Sequence, residues 1–294
     1  MSTALQVIEN GASGVSTFPP QATHDDGLVD LWLRNYRSPN TRAAYARDIA
    51  AFRAFAGPLS AVTLAGVQDF GETLDMFSPS TAARRLSAVK SCIAFAFRVG
   101  YLRFDVAGPL QLPAVQDRLA ERIMSEETVQ RLLYVVKIPR DAALLRLIYG
   151  AGLRLSEACG IRWRDMAPRD DAGQVTVLGK GAKTRAILLP AALWNRIAPL
   201  RGNAGPDDPV FRSRQGGCLN RSQVHRIMKR AAKRAGLPTD ISTHWMRHAH
   251  VSHALDRGCP AHVVQQTVGH ASLATTSHYA HVRPGDSSAR YLPA

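Results

Sequence analysis

Three stretches in the second half of this 294-residue chain decide the fold and the chemistry that the sequence predicts: GAGLRLSE at 150–157, THWMRH at 243–248 and GHASLATTSHY at 269–279. They contain, in this order, Arg154, His244, Arg247, His270 and Tyr279. Arg247 follows His244 by three positions, which places both on one face if this stretch is helical. Two guanidiniums, two imidazoles and a late tyrosine are suited to binding a phosphodiester and attacking it with a phenol.

The chemistry of a phosphodiester explains why these residue types belong together. Its nonbridging oxygens are negatively charged and repel nucleophiles, so cations aimed at them stabilise the extra charge of the transition state. Arginine is always charged and presents a planar fork that matches phosphate. A free phenol has a pKa of about 10, so Tyr279 needs nearby positive charge or a proton acceptor to react near neutrality. The departing 5′-oxygen needs a proton, which Lys180, at the tip of a predicted hairpin, is placed to supply.

In their order and local context, the three stretches resemble the tyrosine recombinase (phage integrase) family. The resemblance covers about residues 25–285, and it is specific because three separated motifs agree. It implies a two-domain member of the Xer or Cre sort, a site-specific recombinase that cleaves and rejoins DNA through a covalent 3′-phosphotyrosine. The outcome would be integration, excision or dimer resolution. Because the covalent intermediate keeps the energy of the broken bond, the resemblance implies no ATP, no metal and no other cofactor.

The resemblance also implies a catalytic set of six residues: Arg154, Lys180, His244, Arg247, His270 and Tyr279. The two arginines would bind the phosphate, and the tyrosine would be the nucleophile. The two histidines would contact the scissile phosphate and manage protons, with Glu157 supporting the first arginine. Lys180, the first lysine of the Gly-Lys-Gly turn, would be the general acid, and Lys183 is the alternative for this role.

Net charge points to a polyanionic partner. The total of +14 is divided unevenly, with −3 in residues 1–27, +3 in residues 28–117 and +14 in residues 118–294. Nucleic acid is the best match, because no helix with a large apolar face accompanies the charge and favours a membrane. Apolar residues make up 46%, without a run long enough to span a bilayer and without a visible secretory signal. We therefore expect a cytoplasmic, nucleoid-associated protein whose four scattered cysteines are reduced.

The order of patterns predicts a mainly α fold with a small β-hairpin or sheet: an all-α N-terminal domain followed by an α+β catalytic domain. We expect a disordered tail at residues 1–21 and a helical core-binding domain that contacts DNA at 22–107. A linker at 108–117, the catalytic domain at 118–287 and a C-terminal tail at 288–294 should follow. Four helices are predicted in the first domain. The apolar side of the second includes Ile49, Phe52 and Phe55, and that of the fourth includes Ile93 and Phe97.

Two features of the second domain are predicted from local pattern. Two β-rich runs at 174–189 flank the Gly-Lys-Gly turn and predict a hairpin. Asn220 to Gly236 predicts a capped helix with one apolar side and one basic side. We expect its bases to contact DNA phosphates: Arg226, Lys229, Arg230 and Lys233. The fourth helix of the first domain supplies a second candidate group: Arg84, Arg85 and Lys90.

Three other functions compete with recombination. Eight of the ten histidines lie in residues 244–281, and the helical spacing of His244 with His248 and of His250 with His253 suits zinc or nickel. A metal-dependent nuclease is thus one hypothesis, which the scarcity of acidic ligands in this stretch disfavours. A DNA-binding relative without catalysis is a second, which the filled catalytic positions disfavour. A type IB topoisomerase is the third, and the helical domain ahead of the motifs favours a recombinase over it.

The expected partner is double-stranded DNA. By resemblance, four copies of the chain would assemble as a homotetramer on two recombination sites, with or without a partner recombinase or a directionality factor. The residues leave open the target site and the mobile element or chromosome that is served.

Overall fold

The structure, a computed structural model, describes residues 21–170, 172–179 and 184–282. The chain folds into two compact units, and the boundary between them lies between Gln116 and Asp117. Each unit has a hydrophobic core of its own. Within the described ranges, no helix has both the length and the apolar character needed to cross a membrane.

The first unit is helical, as the sequence predicts. Its helices are α1 (Asp25–Arg34), α2 (Pro39–Ala56), α3 (Leu64–Glu72) and α4 (Pro79–Arg98). The hydroxyls of Ser38 and Thr63 accept N–H groups of the first turns of α2 and α3, and so cap these two helices. Large side chains from several helices fill the core: Leu28, Trp32, Ile49, Phe52, Val89 and Ile93.

Two residues on the predicted apolar sides of α2 and α4 lie outside the core. Phe55 and Phe97 are 49% and 46% exposed. Phe55 lies in the last turn of α2, where its ring meets only the edge of the core at Phe70. After α4, the chain folds back so that Tyr101 and Leu102 donate their N–H groups to the Ala96 carbonyl, which leaves the neighbouring Phe97 outside. Helical periodicity gives the direction of a side chain, but not how far the covering elements extend.

The second unit combines helices with one small sheet. Among its described residues the helices are α5 (Glu126–Tyr134), α6 (Pro139–Gly150), α7 (Leu155–Gly160), α8 (Ala191–Ile197), α9 (Arg221–Arg234), α10 (Thr243–Asp256), α11 (Ala261–Val268) and α12 (Leu273–Val282). Ser125 caps α5, because its hydroxyl accepts the Thr128 N–H. Helix α6 packs against α8 and α10, which explains its nearly continuous apolar sequence.

An antiparallel sheet of three strands lies between α7 and α8 in the sequence: β1 (Met166–Arg169), β2 (Ala172–Leu178) and β3 (Thr184–Leu189). Strands β2 and β3 form the predicted hairpin, with Val177 paired to Arg185. Strand β1 was not predicted, because four residues that include Pro168 carry too short a pattern. The tip of the hairpin, with Lys180 and Lys183, lies outside the described residues.

Helix α9 has the two faces that the sequence predicts. Asn220 and Gln223 cap it reciprocally, each side chain accepting the other residue's backbone N–H. Val224, Ile227 and Met228 are buried on one side. The predicted DNA-binding bases are exposed on the other side: Arg226, Lys229, Arg230 and Lys233.

The alternation of β3 gives a matched pair of leucines for a stability test. Leu189 is 1% exposed, whereas its neighbour Leu188 is 64% exposed. We expect Leu189→Ala to lower the free energy of unfolding of the second unit by about 2–5 kcal/mol, since it leaves a cavity in the core. Leu188→Ala should change it by less than about 0.5 kcal/mol. Urea unfolding of both variants checks this, and equal losses would contradict the assigned face of the strand.

Candidate active site

Helix α10 carries His244, Arg247 and His248 on one side, because positions 247 and 248 both lie about one helical turn after position 244. Arg247 is 2% exposed. Its Nη1 donates to the Gly152 carbonyl at 2.6 Å and its Nη2 to the Val268 carbonyl at 2.8 Å. Desolvation by burial, followed by repulsion from Arg154, lowers the pKa of Arg247 to about 10. Arg247 is still charged at neutral pH. Burial and repulsion from Arg154 destabilise this charge, and a bound anion would stabilise it.

Arg154 lies beside Arg247, at the start of α7. Its Nη1 and Nη2 approach the carbonyls of Val268 and Gly269 at 3.5 and 2.9 Å, so both guanidiniums meet at the Val268 oxygen. The turn before it depends on Gly152, which has a φ of +59° and would place a Cβ 2.6 Å from the His250 ring. The side chain of Arg154 is 34% exposed, so it faces solvent more than Arg247 does.

Glu157 joins Arg154 to the sheet. Its carboxylate accepts the backbone N–H of Arg154 at 2.8 Å and the Nη1 of Arg154 at 3.0 Å. Arg185 on β3 binds the same carboxylate with both terminal nitrogens, at 3.0 and 2.9 Å, and donates its Nε to the Thr267 carbonyl. Burial raises the pKa of Glu157, but the hydrogen bonds from Arg185 and Arg154 outweigh it, and the net pKa lies below the ordinary value. The carboxylate therefore stays ionised and fixes both arginines.

Tyr279 lies on α12 and points into the unit. It is 5% exposed and packs in a small apolar cluster with Ile123, Val251, Val264 and Val268. Burial raises the pKa of its phenol, while the charge of Arg247 acts in the opposite direction. The candidate nucleophile is thus held in the same unit as both arginines, and it keeps its proton at neutral pH.

Two histidines flank the Tyr279 ring. The Nδ1 of His248 lies 2.5 Å from the Tyr279 hydroxyl oxygen. The His270 ring stacks on Tyr279 with its centroid 6.2 Å away, and its Nδ1 is hydrogen-bonded to the Thr276 hydroxyl at 2.9 Å. Burial, followed by the charge of Arg247, lowers the pKa of His270 to about 4. His270 is therefore neutral at neutral pH.

His244 completes the cluster from the solvent side. The residue is exposed, and its ring meets the His248 ring edge to face with centroids 4.3 Å apart. Desolvation of the ring by the surrounding side chains, followed by the charges of Arg247 and Arg154, lowers the pKa of His244. The described members of the predicted catalytic set thus lie together in the second unit, and Glu157 contacts the first of them. Lys180 is outside the described residues.

The three candidate DNA-binding residues of α4 make contacts within the first unit. Arg84 forms a bidentate ion pair with Asp48. The Arg85 guanidinium lies 4.1 Å from the centroid of the Phe77 ring. The Lys90 ammonium donates to the carbonyls of Gly108 and Leu110. Each of the three bases thus has a partner within the first unit, Arg84 is exposed like the bases of α9, and contact of the three with DNA stays a prediction.

Two residues of the site were not assigned to catalysis from the sequence, namely Arg185 and His248. His248 follows Arg247 directly and shares the face of His244, so helical spacing alone is a signal that could have found it. Arg185 had no such signal, because its partner Glu157 is 28 positions away on another element.

The histidines that suggested a metal site make other contacts. His253 binds the Tyr149 hydroxyl through Nδ1 and the Met124 carbonyl through Nε2, both at 2.9 Å. Across the part of the chain that the structure describes, His, Cys, Asp and Glu side chains form no group of three or more that could hold a metal ion.

Comparison with known proteins identifies the family of the chain. The phage integrase family model matches residues 122–285, and a model of the phage integrase N-terminal SAM-like domain matches residues 28–100. Tyrosine recombinase XerC of Xanthomonas axonopodis pv. citri (strain 306) is 34% identical over 285 residues, which cover 88% of this chain and 91% of the relative. Tyrosine recombinase XerC of Xylella fastidiosa (strain 9a5c) is 32% identical, with 88% and 91% covered.

Solved structures show the same fold. The XerH site-specific recombinase bound to its difH substrate superposes with a TM-score of 0.70 at 18% identity, covering 92% of this chain and 84% of that one. A lambda integrase dimer bound to a COC′ core site superposes with a TM-score of 0.73 at 16% identity, covering 90% and 79%. The expected fold class is therefore confirmed. The chain belongs to the phage integrase family of tyrosine recombinases, an enzyme class that catalyses DNA cleavage and rejoining.

Proposed function

We propose that this chain is a site-specific recombinase in which Tyr279 attacks a phosphodiester of duplex DNA and forms a 3′-phosphotyrosine. The observation that carries the proposal is the placement of Tyr279 near Arg247, which meets Arg154 at the Val268 carbonyl, within one unit of one chain. The Val268 carbonyl receives Arg154 and Arg247, while the Val268 side chain packs in the same apolar cluster as Tyr279. A phosphate bound by the arginines would therefore lie close to the phenol.

Charge at this site favours the transition state. Arg154 and Arg247 repel one another, and Arg247 is nearly dehydrated. Among the described residues, no carboxylate lies within ion-pair distance of Arg247. A pentavalent phosphorus carries more negative charge on its nonbridging oxygens than the starting diester, so fixed cations stabilise it more strongly.

The remaining roles follow the family. His244 and His270 would hydrogen-bond the scissile phosphate, and Lys180 would protonate the departing 5′-oxygen, with Lys183 as the alternative. The free 5′-hydroxyl of another strand would then reverse the attack and complete the exchange. Because the phosphotyrosine keeps the energy of the original bond, this sequence of steps needs no cofactor.

The proposed substrate is double-stranded DNA, which fits the net charge of +14 and the basic face of α9. Residues 22–107 would form the core-binding domain, residues 108–117 the linker and residues 118–287 the catalytic domain, with tails at 1–21 and 288–294. The structure of a lambda integrase tetramer bound to a Holliday junction is similar to this chain, at 16% identity. By this analogy we propose a homotetramer on two sites, with or without a partner recombinase or directionality factor, acting on nucleoid DNA in the cytoplasm.

The nucleophile is tested by removing one oxygen atom. Tyr279→Phe should abolish the covalent adduct on a nicked duplex, a loss on the order of 10³-fold or more, because no other hydroxyl takes its place. The duplex carries the sequence that the Tyr279→Phe variant selects from a random library. Tyr134→Phe, at a 74% exposed tyrosine of the same unit, is the control. An adduct formed by Tyr279→Phe would refute the proposed nucleophile.

The basic face of α9 is tested by salt dependence. Lys229→Ala should weaken binding to all duplex sequences alike and reduce the slope of log affinity against log salt by about 1, since one phosphate contact is lost. Lys137→Ala, at an exposed lysine stacked on Tyr134, is the control and should leave the slope unchanged. Fluorescence anisotropy between low and moderate salt measures both variants. An unchanged slope for Lys229→Ala would remove this residue from the DNA interface.

Substitution of Arg185 tests whether the Glu157 carboxylate, which Arg154 and Arg185 share, positions Arg154 for catalysis. In Arg185→Gln, Glu157 has only Arg154 as a cationic partner and draws its guanidinium away from the phosphate. We expect single-turnover cleavage to slow on the order of 10–100-fold, with DNA affinity nearly unchanged. Arg185→Lys keeps the charge but loses the bidentate geometry, and it should fall between wild type and Arg185→Gln. Arg169→Gln, at an exposed arginine of β1, is the control. Wild-type cleavage by Arg185→Gln would show that Arg185 has no part in positioning.

A further inference from the structure

The hydrogen bond of the Tyr279 hydroxyl involves a histidine that lies outside the predicted catalytic set. The Nδ1 of His248 is 2.5 Å from the phenolic oxygen. The Nδ1 of His270 is bonded to the Thr276 hydroxyl instead, and His244 contacts the ring of His248. Among the described residues, His248 is the hydrogen-bond partner of the candidate nucleophile.

The direction of this hydrogen bond follows from burial. The phenol is 5% exposed, and because burial raises its pKa it keeps its proton. A buried O–H group requires an acceptor. Burial, followed by the charge of neighbouring groups, lowers the pKa of His248 to about 3, so its ring is neutral and offers one bare nitrogen. The phenol therefore donates to Nδ1, and the ring proton of His248 resides on Nε2.

We propose that His248 is a catalytic residue, whose Nδ1 takes the Tyr279 proton during strand cleavage and returns it during rejoining. This inference rests on the proposed function, in which Tyr279 is the nucleophile. As the bond between the phenolic oxygen and phosphorus forms, the O–H bond breaks and its proton moves to Nδ1. The bond between phosphorus and the 5′-oxygen breaks, and a general acid on the protein, proposed above as Lys180, supplies that oxygen with a proton. Rejoining runs the same transfers in reverse, so that no proton is gained or lost over the cycle.

The charges around His248 explain why the transfer waits for DNA. Arg247 on its own helix and Arg122 in the turn before α5 disfavour a positive charge on the ring, and His244 and His270 would do so only in their protonated forms. A phosphate bound by the arginines adds negative charge and makes the imidazolium more favourable. The phenol also becomes more acidic as its oxygen bonds to phosphorus. Proton transfer is therefore coupled to attack, and the resting enzyme keeps a protonated phenol.

The first test compares two substitutions at position 248. His248→Asn places an amide near the position of Nδ1, so it can accept the hydrogen bond but not the proton, whereas His248→Ala does neither. We expect both to slow single-turnover cleavage of the selected nicked duplex by about 10²–10⁴-fold. DNA affinity should be unchanged, which shows that the variants are folded. His262→Asn, at an exposed histidine of α11, is the control and should match wild type.

The second test is the pH profile between pH 6 and 9. With an internal acceptor, the wild-type rate should vary little, since His248 stays neutral throughout. In His248→Asn the reactive phenolate must form unaided, so its rate should rise about tenfold for each pH unit. A wild-type rate that itself rises tenfold per unit would overturn the proposal, and this measurement does not depend on a folded variant.

The third test separates the nucleophile from the leaving group. A duplex with sulfur in place of the bridging 5′-oxygen has a leaving group that departs without a proton. Cleavage of this duplex by His248→Asn should stay as slow, relative to wild type, as cleavage of ordinary DNA. Recovery to the wild-type rate would assign His248 to the leaving group and overturn the proposal.

Two further results would also overturn it. Near wild-type cleavage by His248→Asn would leave His248 with positioning alone, and near wild-type cleavage by His248→Ala would leave it with no role. In either case Tyr279→Phe still reports separately on the proposed function. An adduct in Tyr279→Phe would refute the nucleophile itself, whereas loss of the adduct there would limit the failure to His248.

Discussion

The site depends on keeping two like charges next to each other inside a folded unit. Arg154 and Arg247 meet at one backbone oxygen, that of Val268, and Arg247 is almost fully withdrawn from water. Such an arrangement is unfavourable unless carbonyl oxygens solvate each charge. The carbonyls of Gly152, Val268 and Gly269 provide this solvation. The turn around Gly152 and the end of α11 are therefore part of the site, because their backbone oxygens bind the two guanidiniums.

The same dehydration determines the state of the other groups. It keeps Tyr279 protonated and the rings of His248 and His270 neutral, and the neighbouring positive charges act on the histidines in the same direction. The site is thus unfavourable for a further cation and is suited to an anion. Binding and activation then share one cause, because a bound phosphate relieves the repulsion and shifts every nearby protonation equilibrium.

Much of this could be predicted from the sequence, for reasons that differ from residue to residue. Arg154, His244, Arg247, His270 and Tyr279 were identified because each sits in a motif, and motifs encode local geometry. The hairpin and the two faces of α9 followed from periodicity. Phe55 and Phe97 were misplaced because periodicity does not report where the neighbouring elements end. Arg185 depends on a partner 28 positions away, and the hydrogen bond between His248 and Tyr279 joins residues 31 positions apart. Contacts of this kind have no local signature.

The carboxylate of Glu157 constrains how the sequence of this protein can diverge. It is 5% exposed and serves two arginines from different elements. Loss of Arg185 alone leaves it underpaired, and loss of Glu157 alone leaves two buried or half-buried cations without a counter-ion, both of which are destabilising. We therefore expect positions 157 and 185 to change together during evolution. Even a paired replacement must preserve an acceptor for the Arg154 backbone N–H, so substitution at 157 is restricted to side chains of similar reach, such as glutamine.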